Sequence, residues 1–95
     1  MATGKSLVTK SIAAQNTFSD VTEMRGYFNF SLSGTFVATV FVQRSFDKGV
    51  TWLDVESYTA ATEQKGIEPE GGVYYRFGIK TGGYTNGTVV GRLSQ

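Results

Sequence analysis

Two glutamates in the second half of the chain have the spacing that acid–base chemistry would use. Glu68 and Glu70 flank Pro69, and two glycines follow at positions 71 and 72. A catalytic carboxylate pair needs surroundings that separate the two pKa values, so that one acid keeps its proton while the other is ionised. The sequence supplies no third group to do this, and a glycine-bounded loop favours two solvated, ionised carboxylates. The prediction is a solubilising loop, with a small glycan hydrolase site or a cation site as the alternatives.

Composition argues against other catalytic and cofactor chemistries. The chain has 95 residues with no histidine and no cysteine, which removes imidazole-dependent triads, disulfides and thiolate metal sites. It has no P-loop or dinucleotide fingerprint, and Asp47-Lys48-Gly49 offers one carboxylate where an EF-hand needs several oxygen ligands. Nine Lys and Arg against eight Asp and Glu leave a net charge of +1, which is small for binding a phosphate backbone. We expect no enzyme, no cofactor, no metal and no nucleic-acid partner.

The segment from Ser45 to Trp52 carries the most specific motif in the chain. Its residues Ser45, Asp47, Gly49, Thr51 and Trp52 fit the pattern S-x-D-x-G-x-T-W and resemble the Asp-box of sialidase-type propellers and of many other β proteins. A short carboxylate can accept hydrogen bonds from the next backbone N–H groups, and a glycine can take a positive φ. The motif predicts a structural turn, with direct ligand contact as the alternative. Sialidase activity is not implied, because those enzymes repeat the box over a propeller several times longer.

The elements that must position these residues are predicted to be strands. Twelve glycines, one proline and an aromatic content of 14% favour sheet over helix. Alternating apolar and polar residues, separated by turn residues, predict about seven strands. They cover residues 5–12, 24–33, 35–46, 51–59, 60–67, 73–80 and 88–93. We predict an all-β, antiparallel two-sheet sandwich, with a single domain over residues 1–95 and with residues 1–23 as an edge strand or N-terminal arm.

The segment Gly72 to Lys80, followed by a glycine-rich hairpin, resembles the last two strands of an immunoglobulin-like or fibronectin type III sandwich. The resemblance implies that the third, fourth, sixth and seventh predicted strands share one sheet. Opposite charges on neighbouring strands would then steady its outer face by a few tenths of a kcal/mol to about 1 kcal/mol each. The charged residues expected on that face are Asp54, Glu56, Arg76, Lys80 and Arg92.

Apolar residues outside the predicted core indicate contact surfaces. The candidate interface consists of Val37, Phe41, Tyr74 and Tyr84. Val37 and Phe41 fall opposite the expected core face of their strand, where either a second protein or ordinary scattered surface hydrophobes would account for them. Tyr84 lies in the last predicted hairpin. A carbohydrate-stacking surface built from Tyr84, Trp52 and Tyr58 is the alternative use of these rings.

Four segments of the chain together resemble small structural proteins of tailed bacteriophages. They are Leu32 to Val37, Val42 to Val55, Glu70 to Gly78 and Gly91 to Gln95. Members of that group are short β-sandwich proteins of the virion, often capsid decoration or cement proteins and sometimes connector, tail or fibre components. The resemblance implies a structural protein, made in the bacterial cytoplasm and carried on the virion.

The partners that this resemblance implies are the major capsid protein or other virion proteins, with the chain present as a homo-oligomer or in many copies. Weak contacts repeated over a symmetric lattice suit such a role. A neck, tail or fibre component, or a carbohydrate- or receptor-binding appendage, is the alternative. A membrane partner is not expected, because no stretch approaches the eighteen apolar residues of a spanning helix.

Overall fold

The computed structural model describes residues 7–95, and these residues form strands, turns and loops without a helix. Within them, no helix is therefore long and apolar enough to cross a membrane. The strands are β1 Leu7–Ile12, β2 Thr17–Phe18, β3 Thr22–Ser33, β4 Phe36–Ala38, β5 Val40–Ser45, β6 Leu53–Tyr58, β7 Thr62–Ile79, β8 Tyr84–Gly87 and β9 Val89–Ser94.

Most strands belong to one antiparallel sheet. Its order is β1-β9-β3-β7-β5-β6, with β2 pairing at the end of β7, while β4 and β8 form a separate two-stranded sheet. Every pairing in the described chain is antiparallel. The expected all-β antiparallel architecture is confirmed.

The two longest strands bend where their mutual register breaks. β3 and β7 pair from Thr22 to Met24, and pairing resumes at Gly26 opposite Glu68, so residues 69–72 lie opposite Arg25 alone. Gly26 and Gly72 have φ values of +81° and +79°, which a residue without a Cβ adopts at little cost. Such a bulge bends both strands, and the sheet folds back on itself.

The bend produces two packed layers. The back layer contains β1, β9, residues 26–33 of β3 and residues 62–68 of β7, and the front layer contains β2, residues 22–24 of β3, residues 73–79 of β7, β5 and β6. Phe77 of the front layer and Phe30 of the back layer meet between them, with ring centroids 5.5 Å apart. Gly91 lies against the Phe77 ring, where a Cβ atom would collide with it. The expected two-layer sandwich is therefore present.

Three expectations about the strands are corrected. The predicted strands 60–67 and 73–80 are one strand, β7, because the intervening residues stay extended as a bulge. The last strand, β9, pairs with β1 and β3 in the back layer, so Arg92 does not share a face with Asp54. A register shift between β5 and β6 sets Glu56 opposite the buried Val42, which turns it toward the inner side. Within residues 1–23, the described β1 is an edge strand, and residues 1–6 lie outside the described part.

Candidate functional site

The Asp-box segment forms a tight turn between β5 and β6. The Ser45 hydroxyl donates to Oδ1 of Asp47 over 2.6 Å and accepts from the N–H of Gly49 over 2.8 Å. The N–H of Thr51 also donates to Oδ1 of Asp47, over 2.8 Å. Lys48 and Gly49 have φ values of +60° and +92°, which turn the chain back. All of these bonds close the turn on itself.

Hydrogen bonding keeps the Asp47 carboxylate ionised. The Ser45 hydroxyl, followed by the Thr51 N–H, lowers the pKa of Asp47 to about 2. Hydrogen bonds to the charged form favour it, and here they come from within the turn. The contacts of Asp47 therefore match a turn-forming role.

Trp52, at the end of the turn, packs on the outer face of the front layer. The guanidinium carbon of Arg76 lies 4.4 Å from the centre of the Trp52 ring and 3.9 Å from the centre of the Phe18 ring. Burial lowers the pKa of Arg76. The Nε–H of Arg76 donates to the amide oxygen of Gln43 over 2.9 Å. The stack ties β2, β5, β7 and the end of the turn together.

The polar contacts continue across this face. The Gln43 amide donates to Oδ1 of Asp54 over 2.9 Å, and Lys80 pairs with Oδ2 of Asp54 at 2.6 Å. Lys80, followed by Gln43, lowers the pKa of Asp54. The Lys80 ammonium also lies 4.2 Å from the centre of the Phe41 ring. We call Phe18, Phe41, Gln43, Trp52, Asp54, Arg76 and Lys80 the outer-face network. The Asp54–Lys80 pair brings opposite charges together on this face, but β5 lies between β6 and β7, so it is not the predicted contact between neighbouring strands.

The residues of the candidate interface lie in different places. Val37 and Tyr84 are on the paired strands β4 and β8, where Val37 is exposed and the Tyr84 hydroxyl donates to the carbonyl of Gly87 over 2.9 Å. Phe41 and Tyr74 lie at opposite ends of the β5–β7 pairing. The structure therefore does not bring the four together into one surface.

The rings considered for carbohydrate stacking are also separated. Trp52 stacks on Arg76 at the outer face, whereas Tyr58 packs on Phe30, with ring centroids 5.6 Å apart. Tyr84 packs against the core from β8. These three rings share no stacking surface.

A groove opens along one side of the sandwich, between β6 of the front layer and residues 62–68 of the back layer. One part, of about 450 Å³, is lined by Phe28, Arg44, Leu53, Asp54, Val55, Gly66, Ile67 and Tyr75. The adjoining part, of about 230 Å³, is lined by Phe28, Phe30, Val42, Val55, Glu56, Tyr58, Gln64, Lys65 and Gly66. We call this the open side.

Apolar side chains on the open side are half exposed. Leu53 is 47% exposed, Val55 is 46% exposed and Ile67 is 54% exposed. Periodicity did not identify this groove, because alternation predicts which residues share a face but not which strand edge lacks a neighbour. The sequence feature that marks the groove is the set of three apolar residues on strand edges that face each other. Which edges face each other is known only from the strand order of the folded chain.

Glu68 lies beneath this groove, bonded to its lining residues Arg44 and Tyr75, and corrects the prediction of a solvated loop residue. It belongs to β7 and is only 1% exposed. Its Oε1 accepts from the Tyr75 hydroxyl at 2.7 Å and from Arg44 at 2.8 Å, and its Oε2 accepts from the N–H of Glu70 at 3.0 Å. Every one of these contacts stabilises a carboxylate anion.

The pKa values of this cluster follow from its contacts. Burial alone raises the pKa of Glu68, but its three donors together hold that pKa below the ordinary value. Burial, followed by the bond to Glu68, raises the pKa of Tyr75 to about 12. The bond to Glu68 raises the pKa of Arg44. Glu70 is exposed, so the two glutamates differ in environment, and Glu68 is an ionised anchor rather than a proton donor.

Comparison of the chain with known protein families, with curated proteins and with solved structures finds no match. Within residues 7–95, no group of three or more carboxylates is placed to hold a metal ion. The turn, the outer-face network and the open side are therefore the features from which a function can be inferred.

Proposed function

We propose that this chain is a non-enzymatic structural protein that works by adhering to other proteins in a multicopy assembly, most specifically as a decoration or cement protein on the capsid of a tailed bacteriophage. The observation that carries the adhesive role is the open side, where Leu53 and Val55 of the front layer remain half exposed across a groove from Phe28 of the back layer. Contiguous exposed apolar surface of this kind is typical of protein–protein contact sites.

The charged side chains nearest to the open side support the same role. Glu68 is held by Arg44 and Tyr75, and Asp54 is held by Lys80 and Gln43. Groups fixed in this way stiffen the walls of the groove. A rigid apolar groove favours docking, because little side-chain freedom is lost when a partner binds.

The position on a virion is supported by the sequence resemblance to small phage structural proteins. A domain of this size gains strength from repetition, because many modest contacts on a symmetric shell act together. In this proposal the chain binds the major capsid protein in many copies and bridges neighbouring capsid subunits.

The decisive measurement is the copy number of this polypeptide in purified particles of the phage that encodes it, by quantitative mass spectrometry. A copy number comparable to that of the capsid protein is expected. A copy number in single or low double figures would instead indicate a position in the neck or tail. Absence of the polypeptide from particles would refute a virion role.

Docking through the open side is tested by adding purified protein to particles that lack it. Leu53→Asp places a charge in the groove and is expected to reduce retention on particles. Thr9→Asp, on the exposed part of β1 at the other side of the sandwich, is the matched control and should bind as the unaltered chain does. Equal retention of both variants would remove the open side from the proposal.

A further inference from the structure

Residues 62–68 of β7 form a regular sheet edge. They pair with β3 without interruption from Leu32 opposite Thr62 to Gly26 opposite Glu68. Within the described chain no strand pairs with their other side, which borders the open side of the sandwich. Alternate backbone N–H and C=O groups of this segment therefore face outward, ready to pair with another strand.

The strand on the opposite side of the groove, β6, has an irregular edge. β6 shifts register against β5 at Val55, and such a bulge blunts an edge by twisting it away. Residues 62–68 contain neither a bulge nor a proline, and Pro69 comes only after them. An edge of this length without a bulge or a proline, beside apolar surface, is available for strand addition.

The charges along this edge can pair with the charges along the same edge of a second copy. Glu63 and Lys65 are both exposed and lie on one face of the strand, while Gln64 between them lines the groove. Glu63 also accepts a 2.6 Å hydrogen bond from the Ser31 hydroxyl, which holds its carboxylate at the surface of the sheet.

Charge selects one register for two copies of this edge. Residues that lie opposite each other in an antiparallel pair have their side chains on the same face of the sheet. When the two strands are related by a two-fold axis, one residue must therefore lie opposite the same residue of the second copy, with the axis between them. An axis at Gln64 sets Glu63 opposite Lys65 of the second copy, twice. An axis at Lys65 would oppose two lysines, and an axis at Glu63 would oppose two glutamates, which is unfavourable.

The same register also covers apolar surface. It sets Ile67 opposite Ala61 of the second copy, and it brings the two grooves together along the joined edge. The back layers of both copies then form one continuous sheet. We propose that two copies of this chain associate by antiparallel pairing of residues 62–68 around Gln64. This inference rests on the proposed function and deepens it: a second copy occupies the open side, so the dimer is the unit that binds the particle, and Leu53→Asp would reduce retention by disrupting that dimer.

Charge reversal tests the register. Sedimentation equilibrium of the unaltered chain is expected to show a dimer. Glu63→Lys and Lys65→Glu should each weaken the dimer by roughly tenfold in Kd, because both cross-strand pairs become repulsive. The double variant E63K/K65E should recover the original affinity, because it restores both pairs with exchanged signs. Lys10→Glu on β1 is the control and should leave the dimer unchanged.

A covalent probe gives an independent measurement. The chain has no cysteine, so Gln64→Cys introduces a single thiol at the two-fold axis, where opposite Cα atoms in a sheet are close enough for a disulfide. Mild oxidation should convert Gln64→Cys to a covalent dimer much faster than Thr62→Cys, whose predicted neighbour is Gly66. Circular dichroism of each variant checks that it is folded.

Three results would overturn the pairing: a monomeric unaltered chain at the highest soluble concentration, a double variant as weak as the single variants, or equal disulfide rates at positions 62 and 64. The virion role can fail separately. A dimer that is absent from particles refutes the proposed function and leaves the pairing intact, whereas an abundant virion protein that is monomeric in solution refutes only the pairing.

Discussion

The two sides of this sandwich differ in whether the edges of the two layers are joined. On one side the chain passes from β1 in the back layer to β2 in the front layer. Ser19, just after β2, extends the contact with β7. Its N–H donates to the carbonyl of Phe77 at 2.7 Å, and its hydroxyl accepts from the Phe77 N–H at 3.1 Å. Ile12, at the end of β1, is fully buried. On the other side β6 and residues 62–68 leave a groove between them. We call the first the closed side.

The difference shows how a small sandwich can combine a sealed core with an adhesive surface. Backbone hydrogen bonds and a buried isoleucine complete the closed side within one chain. On the open side, the ion pair of Arg44 and Glu68 joins the front and back layers, while Leu53 and Val55 remain half exposed. Four predictions test this contrast.

The largest effect is expected from breaking the anchor of the open side. Glu68→Ala leaves Arg44 and the Tyr75 hydroxyl without their acceptor, so we expect a loss of about 2–4 kcal/mol in the free energy of unfolding. Chemical denaturation measures it. Glu70→Ala, at the exposed neighbour, should cost less than about 0.5 kcal/mol. Similar costs for the two variants would show that Glu68 is not an anchor.

Two glycines compare the core with the open side directly. A Cβ at Gly91 would collide with the Phe77 ring, which is fully buried, and a Cβ at Gly66 would lie 2.7 Å from Cζ of Phe28, which lines the groove. Gly91→Ala should therefore cost about 1–3 kcal/mol, whereas Gly66→Ala should cost less than about 1 kcal/mol because the Phe28 ring can move outward. Thermal unfolding of both variants measures this. A larger cost at Gly66 would mean that the open side is packed as tightly as the core.

A smaller effect is expected at the outer face. Sequence reasoning gives a loss of about 3–5 kcal/mol for Trp52→Ala if the ring is buried. In the structure Trp52 is partly exposed and stacks on Arg76, so we expect about 1–2 kcal/mol from lost contact and lost cation–π attraction. Val50→Ala in the same turn is the control, with little change expected in a denaturation experiment. A loss in the range of a buried tryptophan would contradict the stacked, partly exposed arrangement.

The smallest effect is a pH dependence confined to the turn that leads into β6. The pKa of Asp47 falls from an ordinary 3.8 to about 2 in the folded chain, so its stabilising contribution is complete above pH 4 and is lost as the pH falls through 2. The Thr51 amide bonded to Asp47 should lose protection from hydrogen exchange in that interval, before amides of β1 on the closed side. In Asp47→Asn this acid-dependent step should be absent. An unchanged step would assign it to another group.

Local patterns predicted much of this molecule, and strand pairing decided the rest. Alternation in residues 24–33 and 73–80 identified buried strands, and the Asp-box predicted its turn, because the residues that form each feature are neighbours in sequence. The burial of Glu68 was not predictable in this way. It depends on Arg44, which reaches it from β5, and on the bulge at residues 69–72, which exists only because β3 lies alongside.

The open side was equally inaccessible to sequence. Leu53 and Val55 have the alternation of an ordinary strand, and nothing near them records that β6 has a neighbour on one side only. The same holds for β9, whose apolar residues suit either layer and whose place beside β1 and β3 is set by long-range pairing. The bulged residue Val55 reversed the expected facing of Glu56 for a similar reason.

The bend at Gly26 and Gly72 has a consequence for how the fold comes apart. β3 and β7 each run through both layers, so the layers are not independent sheets held together only by side chains. One layer cannot melt while the other persists, since each contains part of the same two strands. Heating should therefore produce a single all-or-none transition, and a half-unfolded chain with one intact layer should not accumulate.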